Sequence, residues 1–220
     1  MPGLSVYDTA RGVLPRLAEP FALRARERRH ALFLELARVE ARTRILDLGC
    51  GSAGLRARAP ELEITGVDLA PRPGYGGPLV VADATQGLPF ADGEFDLVYC
   101  SSVIEHIEPA LRPRFAAECR RVASGWFVQT PAASFPLEPH SLLPAAHWLP
   151  PALRRPYWRL GAAGHWEDVR LLARRELEAL FGPAVPERFG PLVKSWISVR
   201  PCASGAGGAG GPADDDRPRR

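Results

Sequence analysis

Three aspartates carry the clearest potential for ligand binding in this 220-residue sequence. Asp47, Asp68 and Asp83 each stand at or near the end of a short run of apolar and β-branched residues, a pattern that predicts buried strands. Ligands of open α/β sheets bind beyond the carboxyl ends of the strands, so the three acids should lie along one edge. A carboxylate has two acceptor oxygens and can receive both hydroxyls of a ribose, which favours an adenosine-type ligand at Asp68.

A glycine-rich turn, DLGCGSAG at 47–54, begins at the end of the first predicted strand. Glycine reaches positive φ and carries no Cβ that would block a ligand. Gly49, Gly51 and Gly54 also fit the G-x-G-x-x-G spacing of dinucleotide-binding loops. The segment 55–60 is too short for the first crossover helix of such a fold, so the sequence disfavours NAD.

Two stretches resemble one enzyme family. The run DLGCG at 47–51 resembles the first motif of class I S-adenosylmethionine-dependent methyltransferases, although Ala53 stands where the third glycine is usual. The stretch DATQGLPFADGEFDLV at 83–98 is similar to the UbiE-like (methyltransferase type 11) subgroup. The resemblance implies S-adenosyl-L-methionine as the cofactor. It implies these cofactor-binding residues: Asp47, Gly49, Cys50, Gly51, Asp68, Leu69, Asp83, Ala84 and Ser101.

The family resemblance also predicts the architecture. We expect an α/β fold, a Rossmann-like three-layer sandwich with a seven-stranded, mostly parallel sheet whose last strand is antiparallel. The predicted strands are 44–48, 62–68, 79–83, 95–99, 126–130, 184–189 and 194–200. The predicted helices are 18–40, 109–122 and 171–181.

One domain is expected over 1–202, followed by a disordered Gly/Ala-rich tail at 203–220. The arginines of the first helix, at 24, 26, 28 and 29, are interpreted as its solvated face. The Pro- and Trp-rich segment 131–166 is interpreted as an insertion that caps the acceptor site, because it mixes apolar walls with polar groups.

Histidines near the carboxyl edge of the predicted sheet are the predicted catalytic groups. An imidazole titrates near neutral pH and can remove a proton from a hydroxyl or amine, which favours His106 and His140 as bases. The predicted substrate-binding residues are Glu105, Glu138, His140, Trp148 and Tyr157. Some methyltransferases hold Mg²⁺ through a Glu-x-x-Glu-His run and a later His. Here Ser102 replaces the first glutamate of that run, so no metal is predicted, and the partial motif leaves a metal as an alternative.

Composition narrows the function further. The 28 Lys and Arg residues nearly balance the 25 Asp and Glu residues, so nothing predicts a nucleic-acid surface. The sequence lacks an apolar run long enough to span a membrane and a signal-peptide pattern, which favours a cytoplasmic protein with at most weak peripheral membrane contact. We therefore expect methyl transfer to an O or N nucleophile of a small molecule. The alternatives are a catalytically silent methyltransferase-like scaffold and an NAD-dependent oxidoreductase.

Overall fold

The computed structural model describes residues 13–138, 140–161 and 169–202. The predicted tail at 203–220 and the end of the predicted cap, 162–166, lie outside the described residues. The helices are α1 (Val13–Ala37), α2 (Arg112–Val122), α3 (Pro151–Trp158) and α4 (Arg174–Phe181). The strands are β1 (Arg44–Leu48), β2 (Glu63–Asp68), β3 (Leu79–Val81), β4 (Phe95–Ser101), β5 (Ala123–Pro131), β6 (Ala184–Phe189) and β7 (Leu192–Arg200).

The seven strands form one sheet in the order β3-β2-β1-β4-β5-β7-β6. Strands β1 to β5 run parallel, and β7 is antiparallel to both β5 and β6. This confirms the predicted mostly parallel sheet with an antiparallel last strand. Because the chain reverses its lateral direction after β3, the carboxyl ends of β1 and β4 flank a topological switch point, where ligands of such sheets bind.

Helices cover both faces of the sheet and give it two apolar cores. Successive strand residues point to opposite faces. Ile45 therefore packs with Phe33 of α1 on one face. Leu46 packs with Phe115 of α2 on the other face, where α4 also contributes. The three layers match the predicted sandwich.

Several element boundaries differ from the prediction. Helix α1 begins and ends earlier than the predicted 18–40, since Pro15 is tolerated in its first turn and Arg38 ends it with a φ of 53°. Strand β5 begins at Ala123 rather than residue 126. Its first residues, Ala-Ser-Gly, lack the branched side chains that signal a strand, and pairing with β4 places them in the sheet. Among the described residues, no helix combines the length and apolar character needed to cross a bilayer.

Candidate active site

The glycine-rich turn after β1 has three glycines with positive φ: 70° at Gly49, 58° at Gly51 and 54° at Gly54. A Cβ atom at Gly54 would lie 2.5 Å from Oδ2 of Asp47. That oxygen accepts a 2.7 Å hydrogen bond from the backbone N–H of Leu55. Gly54 thus supplies the glycine that the sequence lacks at Ala53, and the turn closes one residue later around the Asp47 carboxylate.

A tyrosine packs over the buried carboxylate of Asp47. Residues 51–58 form turns instead of a crossover helix. Tyr75, from the loop after β2, lies against this part of the sheet, with its ring 2.5 Å from an ideal Cβ at Gly66. Its hydroxyl donates to Oδ2 of Asp47 at 3.4 Å. Burial raises the pKa of Asp47 from 3.8 to about 7, against the hydrogen bonds from Leu55 and Tyr75.

The ends of β2 and β3 carry the other two predicted acids. Asp68 accepts the Gly51 N–H at 2.9 Å through Oδ2 and pairs with Arg72 at 2.8 Å through Oδ1. Oδ1 of Asp83 accepts the backbone N–H of Thr85 at 2.8 Å and the Thr85 hydroxyl at 2.7 Å. Both acids stand at one edge of the sheet, as predicted from the strand ends.

The remaining predicted cofactor residues differ in exposure. Cys50 is buried, and its backbone N–H donates to Val67 O at 3.2 Å. Burial raises the pKa of the Cys50 thiol to about 12. Leu69 is exposed after β2, whereas Ala84 packs into the core beside β3. The Leu69 side chain is therefore accessible to a ligand, whereas the Ala84 side chain is not.

A polar network sits at the end of β4, where Ser101 was predicted to bind the cofactor. The Ser101 hydroxyl donates to Oε1 of Gln129 at 2.8 Å and accepts from Nη1 of Arg29 at 3.2 Å. Ser102 also donates to Gln129, at 3.2 Å, and has a φ of 58°, a rare backbone conformation that clusters at functional sites. Gln129 of β5 therefore fixes both serines.

The interpretation of Arg29 as part of a solvated face is wrong. Its side chain is only 14% exposed and pairs with Glu187 of β6 at 3.4 Å. Helix α1 packs on the sheet, so a residue on that side reaches the polar sheet edge while its aliphatic stem covers apolar surface.

Four side chains form a group that we call the histidine–carboxylate cluster: Glu105, His106, Glu138 and His140. Nδ1 of His140 lies 2.7 Å from Oε1 of Glu138, and its Nε2 lies 3.9 Å from Oε1 of Glu105. His106 packs edge-on against His140 with ring centroids 4.9 Å apart. The two predicted catalytic histidines thus lie side by side, His140 buried and His106 half-buried.

Hydrogen bonds to their second oxygen orient both carboxylates of this cluster. Thr130 of β5 donates to Oε2 of Glu105 at 3.0 Å. Oε2 of Glu138 accepts the backbone N–H of His140 at 2.9 Å. Burial opposes ionisation of Glu138, but the hydrogen bond and charge of His140 outweigh it and lower the pKa of Glu138. Burial likewise disfavours charged His140, and the two glutamates outweigh it and raise the His140 pKa.

A cavity of about 310 Å³ lies between the segment that follows β5 and the residues that precede α4. It is lined by Ala133, His147, Trp148, Arg154, Trp158, Val169, Arg170 and Leu171. The backbone N–H of Arg170 donates to the carbonyl of Glu105 at 2.7 Å, which places the cavity next to the cluster. Among the predicted substrate residues, Trp148 lines the cavity, whereas the Tyr157 hydroxyl donates to Pro144 O and stabilises the cap itself.

Sequence reasoning missed Tyr75, Gln129 and Thr130. The short segment after Gly54 could have indicated Tyr75. A segment too short to cover the sheet face leaves that face to be filled by a large side chain from another part of the chain. Gln129 and Thr130 were visible only as polar residues at the end of an apolar strand, in WFVQT. Such residues are typical of the ligand edge of a parallel sheet, where strand ends meet the site.

Known proteins resemble this chain in part of its sequence and in its fold. A family model described as a methyltransferase domain matches residues 46–128. No curated protein matches the sequence. The solved PH0226 protein from Pyrococcus horikoshii OT3 has a TM-score of 0.54 and 19% identity, over 78% of this chain and 86% of that chain.

Two further solved structures show weaker similarity. A SAM-dependent methyltransferase from Methanosarcina mazei has a TM-score of 0.47 and 17% identity, over 73% of this chain and 92% of that chain. CalO1, a methyltransferase in calicheamicin biosynthesis in its SAH-bound form, has a TM-score of 0.46 and 18% identity, over 82% and 54% of the two chains.

Proposed function

We propose that this chain is a methyltransferase with the class I fold and that it transfers a methyl group from S-adenosyl-L-methionine to an oxygen or nitrogen of a small molecule. The observation that carries the proposal is the glycine turn at the carboxyl end of β1, whose Gly51 N–H reaches the Asp68 carboxylate at the end of β2. This arrangement puts a glycine turn and an acceptor carboxylate side by side at the sheet edge, where nucleoside ligands bind.

The residues of this edge fit the cofactor. An ideal Cβ at Gly51 meets no atom of the described residues within 4 Å, so the tip of the turn leaves room for a ligand. Asp68 would accept the ribose hydroxyls after Arg72 moves aside, and Asp83 with the Ala84 backbone would hold the adenine. When bound, the cofactor supplies a sulfonium methyl group; the acceptor atom bonds to the methyl carbon as the sulfur–carbon bond breaks and its electron pair stays on sulfur.

The histidine–carboxylate cluster and the adjoining cavity are the proposed acceptor side. Trp148 and Trp158 give the cavity an apolar wall, and His147 and Arg154 add polar groups, the mixture typical of small-molecule sites. His106 is the more accessible histidine and faces the acceptor in this proposal, while His140 backs it. The near balance of basic and acidic residues supports a small molecule rather than a nucleic acid.

Two other functions remain distinguishable by experiment. A scaffold would keep the fold without binding the cofactor, and an NAD-dependent oxidoreductase would bind NAD at the same edge. The complete set of Asp47, Gly49, Gly51, Asp68 and Asp83 argues against a scaffold. The turns at 51–58, where a dinucleotide fold has a crossover helix, argue against NAD.

Isothermal titration with S-adenosylmethionine, S-adenosylhomocysteine and NAD tests the proposal. Both adenosyl ligands should bind, and NAD should not. Asp68→Asn should weaken binding of the adenosyl ligands at least about tenfold, since a hydrogen bond to a charged acceptor contributes roughly 1.5–3 kcal/mol. Glu63→Gln, at the exposed amino end of the same strand, is the matched control and should bind normally. Binding of NAD alone, or of no ligand, would overturn the proposal.

A further inference from the structure

We infer that Glu105, His106 and His140 bind a divalent transition-metal ion at the acceptor side of the sheet edge. Each residue offers one donor atom, and these three atoms all lie within 4.8 Å of one another. The sequence favoured no metal because Ser102 replaces a glutamate of the family motif. The geometry points to an ion held by one carboxylate and two imidazoles instead.

Two of the three potential metal-ligand atoms are buried and face each other without a hydrogen bond between them. Oε1 of Glu105 and Nε2 of His140 have no hydrogen-bond partner among the described residues, and both side chains are almost fully buried. Buried polar atoms of this kind normally have a partner. The two atoms are 3.9 Å apart. That distance is too long for a hydrogen bond, and it fits two ligands of one ion with bonds of about 2.1 Å.

Contacts behind the donors fix which atom faces the centre. Glu138 accepts from Nδ1 of His140 at 2.7 Å, which leaves the lone pair of Nε2 directed at Glu105. Thr130 donates to the other oxygen of Glu105. A carboxylate behind a ligating histidine is the usual outer-shell support of protein metal sites, because it fixes the tautomer and raises the basicity of the ring.

Charge balance favours a cation in the same place. Glu105 and Glu138 are both fully buried, and among the described residues each pairs only with His140. A protonated His140 would neutralise one of the two carboxylates. A divalent ion beside neutral histidines neutralises both, which removes the cost of an uncompensated buried charge.

The ligand set indicates the metal class and its use. Imidazole and carboxylate together suit Zn²⁺, Mn²⁺, Fe²⁺ or Co²⁺ better than Ca²⁺, which prefers oxygen alone. Three protein ligands leave a position open for an acceptor oxygen, as in catalytic sites. This role rests on the proposed methyl transfer: the ion would lower the pKa of an acceptor hydroxyl that it holds, and the proton would pass to water before the oxygen bonds to the methyl carbon.

Metal binding is measured on tag-free, chelator-treated protein without any cofactor present. Zn²⁺ is titrated calorimetrically, and Co²⁺ by visible absorption, in the wild type. One ion per chain should bind. Glu105→Gln and His106→Ala should each weaken affinity at least about tenfold, and Glu138→Gln should weaken it about 10–100-fold through His140. His30→Asn removes a histidine of α1 outside the cluster and should bind like the wild type.

Circular dichroism identifies any variant that fails to fold. If the variants at buried positions do not fold, His106→Ala, at a half-buried position, tests whether the cluster binds the metal. Stoichiometric binding that is lost in this variant and kept in His30→Asn supports the inference. No binding by the wild type, or equal binding by wild type and His106→Ala, overturns it. A separate titration with S-adenosylmethionine distinguishes the two proposals. If the protein binds the metal and not S-adenosylmethionine, only the metal site is supported. If it binds S-adenosylmethionine and not the metal, only the methyltransferase function is supported.

Discussion

The proposed cofactor edge and the proposed acceptor side of this molecule are built in different ways. At the cofactor edge, backbone groups of one turn meet acids at nearby strand ends, as Leu55 meets Asp47 and Gly51 meets Asp68. On the acceptor side, side chains distant in sequence meet, as Thr130 meets Glu105 and His140 faces Glu105. The structure of the first region depends on glycine at positions where φ is positive or another group approaches closely. The structure of the second region depends on a series of side-chain contacts. A substitution in one region should therefore leave the function of the other region intact.

The largest expected effect is at Gly54. Gly54→Ala puts a Cβ onto Oδ2 of Asp47 at a residue with positive φ, so the turn must distort. We expect loss of detectable S-adenosylhomocysteine binding and about 1–3 kcal/mol of lost stability, measured by calorimetry and urea unfolding. Ala53→Gly is the matched control, and it should bind normally at a stability cost of about 0.5–1 kcal/mol or less. Equal binding by both variants would contradict the assignment of Gly54 as the required glycine.

The next effect is on the acceptor side. Glu138→Gln replaces the charged partner of His140 by a neutral one of the same shape, so the imidazole is less firmly oriented. Methyl transfer should fall about 10–100-fold. The dissociation constant of S-adenosylhomocysteine should stay unchanged, because no side-chain hydrogen bond or ion pair of Glu138 among the described residues involves Asp47, Asp68 or Asp83. A parallel loss of cofactor affinity would show that the two regions are one unit.

A pH titration sharpens the role of Asp47. Its pKa is raised from 3.8 unfolded to about 7 folded, so between these values the folded state binds more protons than the unfolded state. Stability contributed by the protonated form is therefore complete below pH 4 and is lost as pH rises towards 7, by at most about 1.4 kcal/mol per pH unit. Asp47→Asn should flatten this slope in urea unfolding of the ligand-free protein. An unchanged slope would assign it to another group.

The smallest effect is expected at the cavity wall. Trp148 is 54% exposed, and its indole N–H donates to Ala133 O at 2.8 Å. Once an acceptor is known, Trp148→Ala should raise its KM several-fold with little change in stability, since exposed side chains contribute within about 0.5 kcal/mol. Leu153→Ala, an exposed apolar residue of α3 outside the cavity lining, is the control. A similar KM for both variants would remove Trp148 from the acceptor site.

The same contrast explains how much the sequence could predict. Strand ends, glycines and the family motif are local patterns, so the sheet and the positions of Asp47, Asp68 and Asp83 follow from them. The need for glycine at Gly54 depends on the Asp47 carboxylate, which approaches the Gly54 Cα only in the folded turn. The UbiE-like subgroup stays a prediction.

Long-range contacts were beyond the sequence. The arginines that surround Arg29 in the sequence favour a surface position, and only the packing of α1 on the sheet brings it to Ser101 and Glu187. His106 and His140 could be named from chemistry, but the sequence could not show that Glu138 holds one of them. The direction of a side chain across a sheet edge depends on tertiary packing, which no local pattern records.

A crystal structure of the complex with S-adenosylhomocysteine would show whether the cofactor binds at the sheet edge that carries Asp68 and Asp83. We expect the ribose hydroxyls on Asp68 with the Asp68–Arg72 pair opened, the adenine beside Asp83, and the sulfur directed towards the histidine–carboxylate cluster. Ligand density elsewhere, with the 2.8 Å Asp68–Arg72 pair intact, would contradict it.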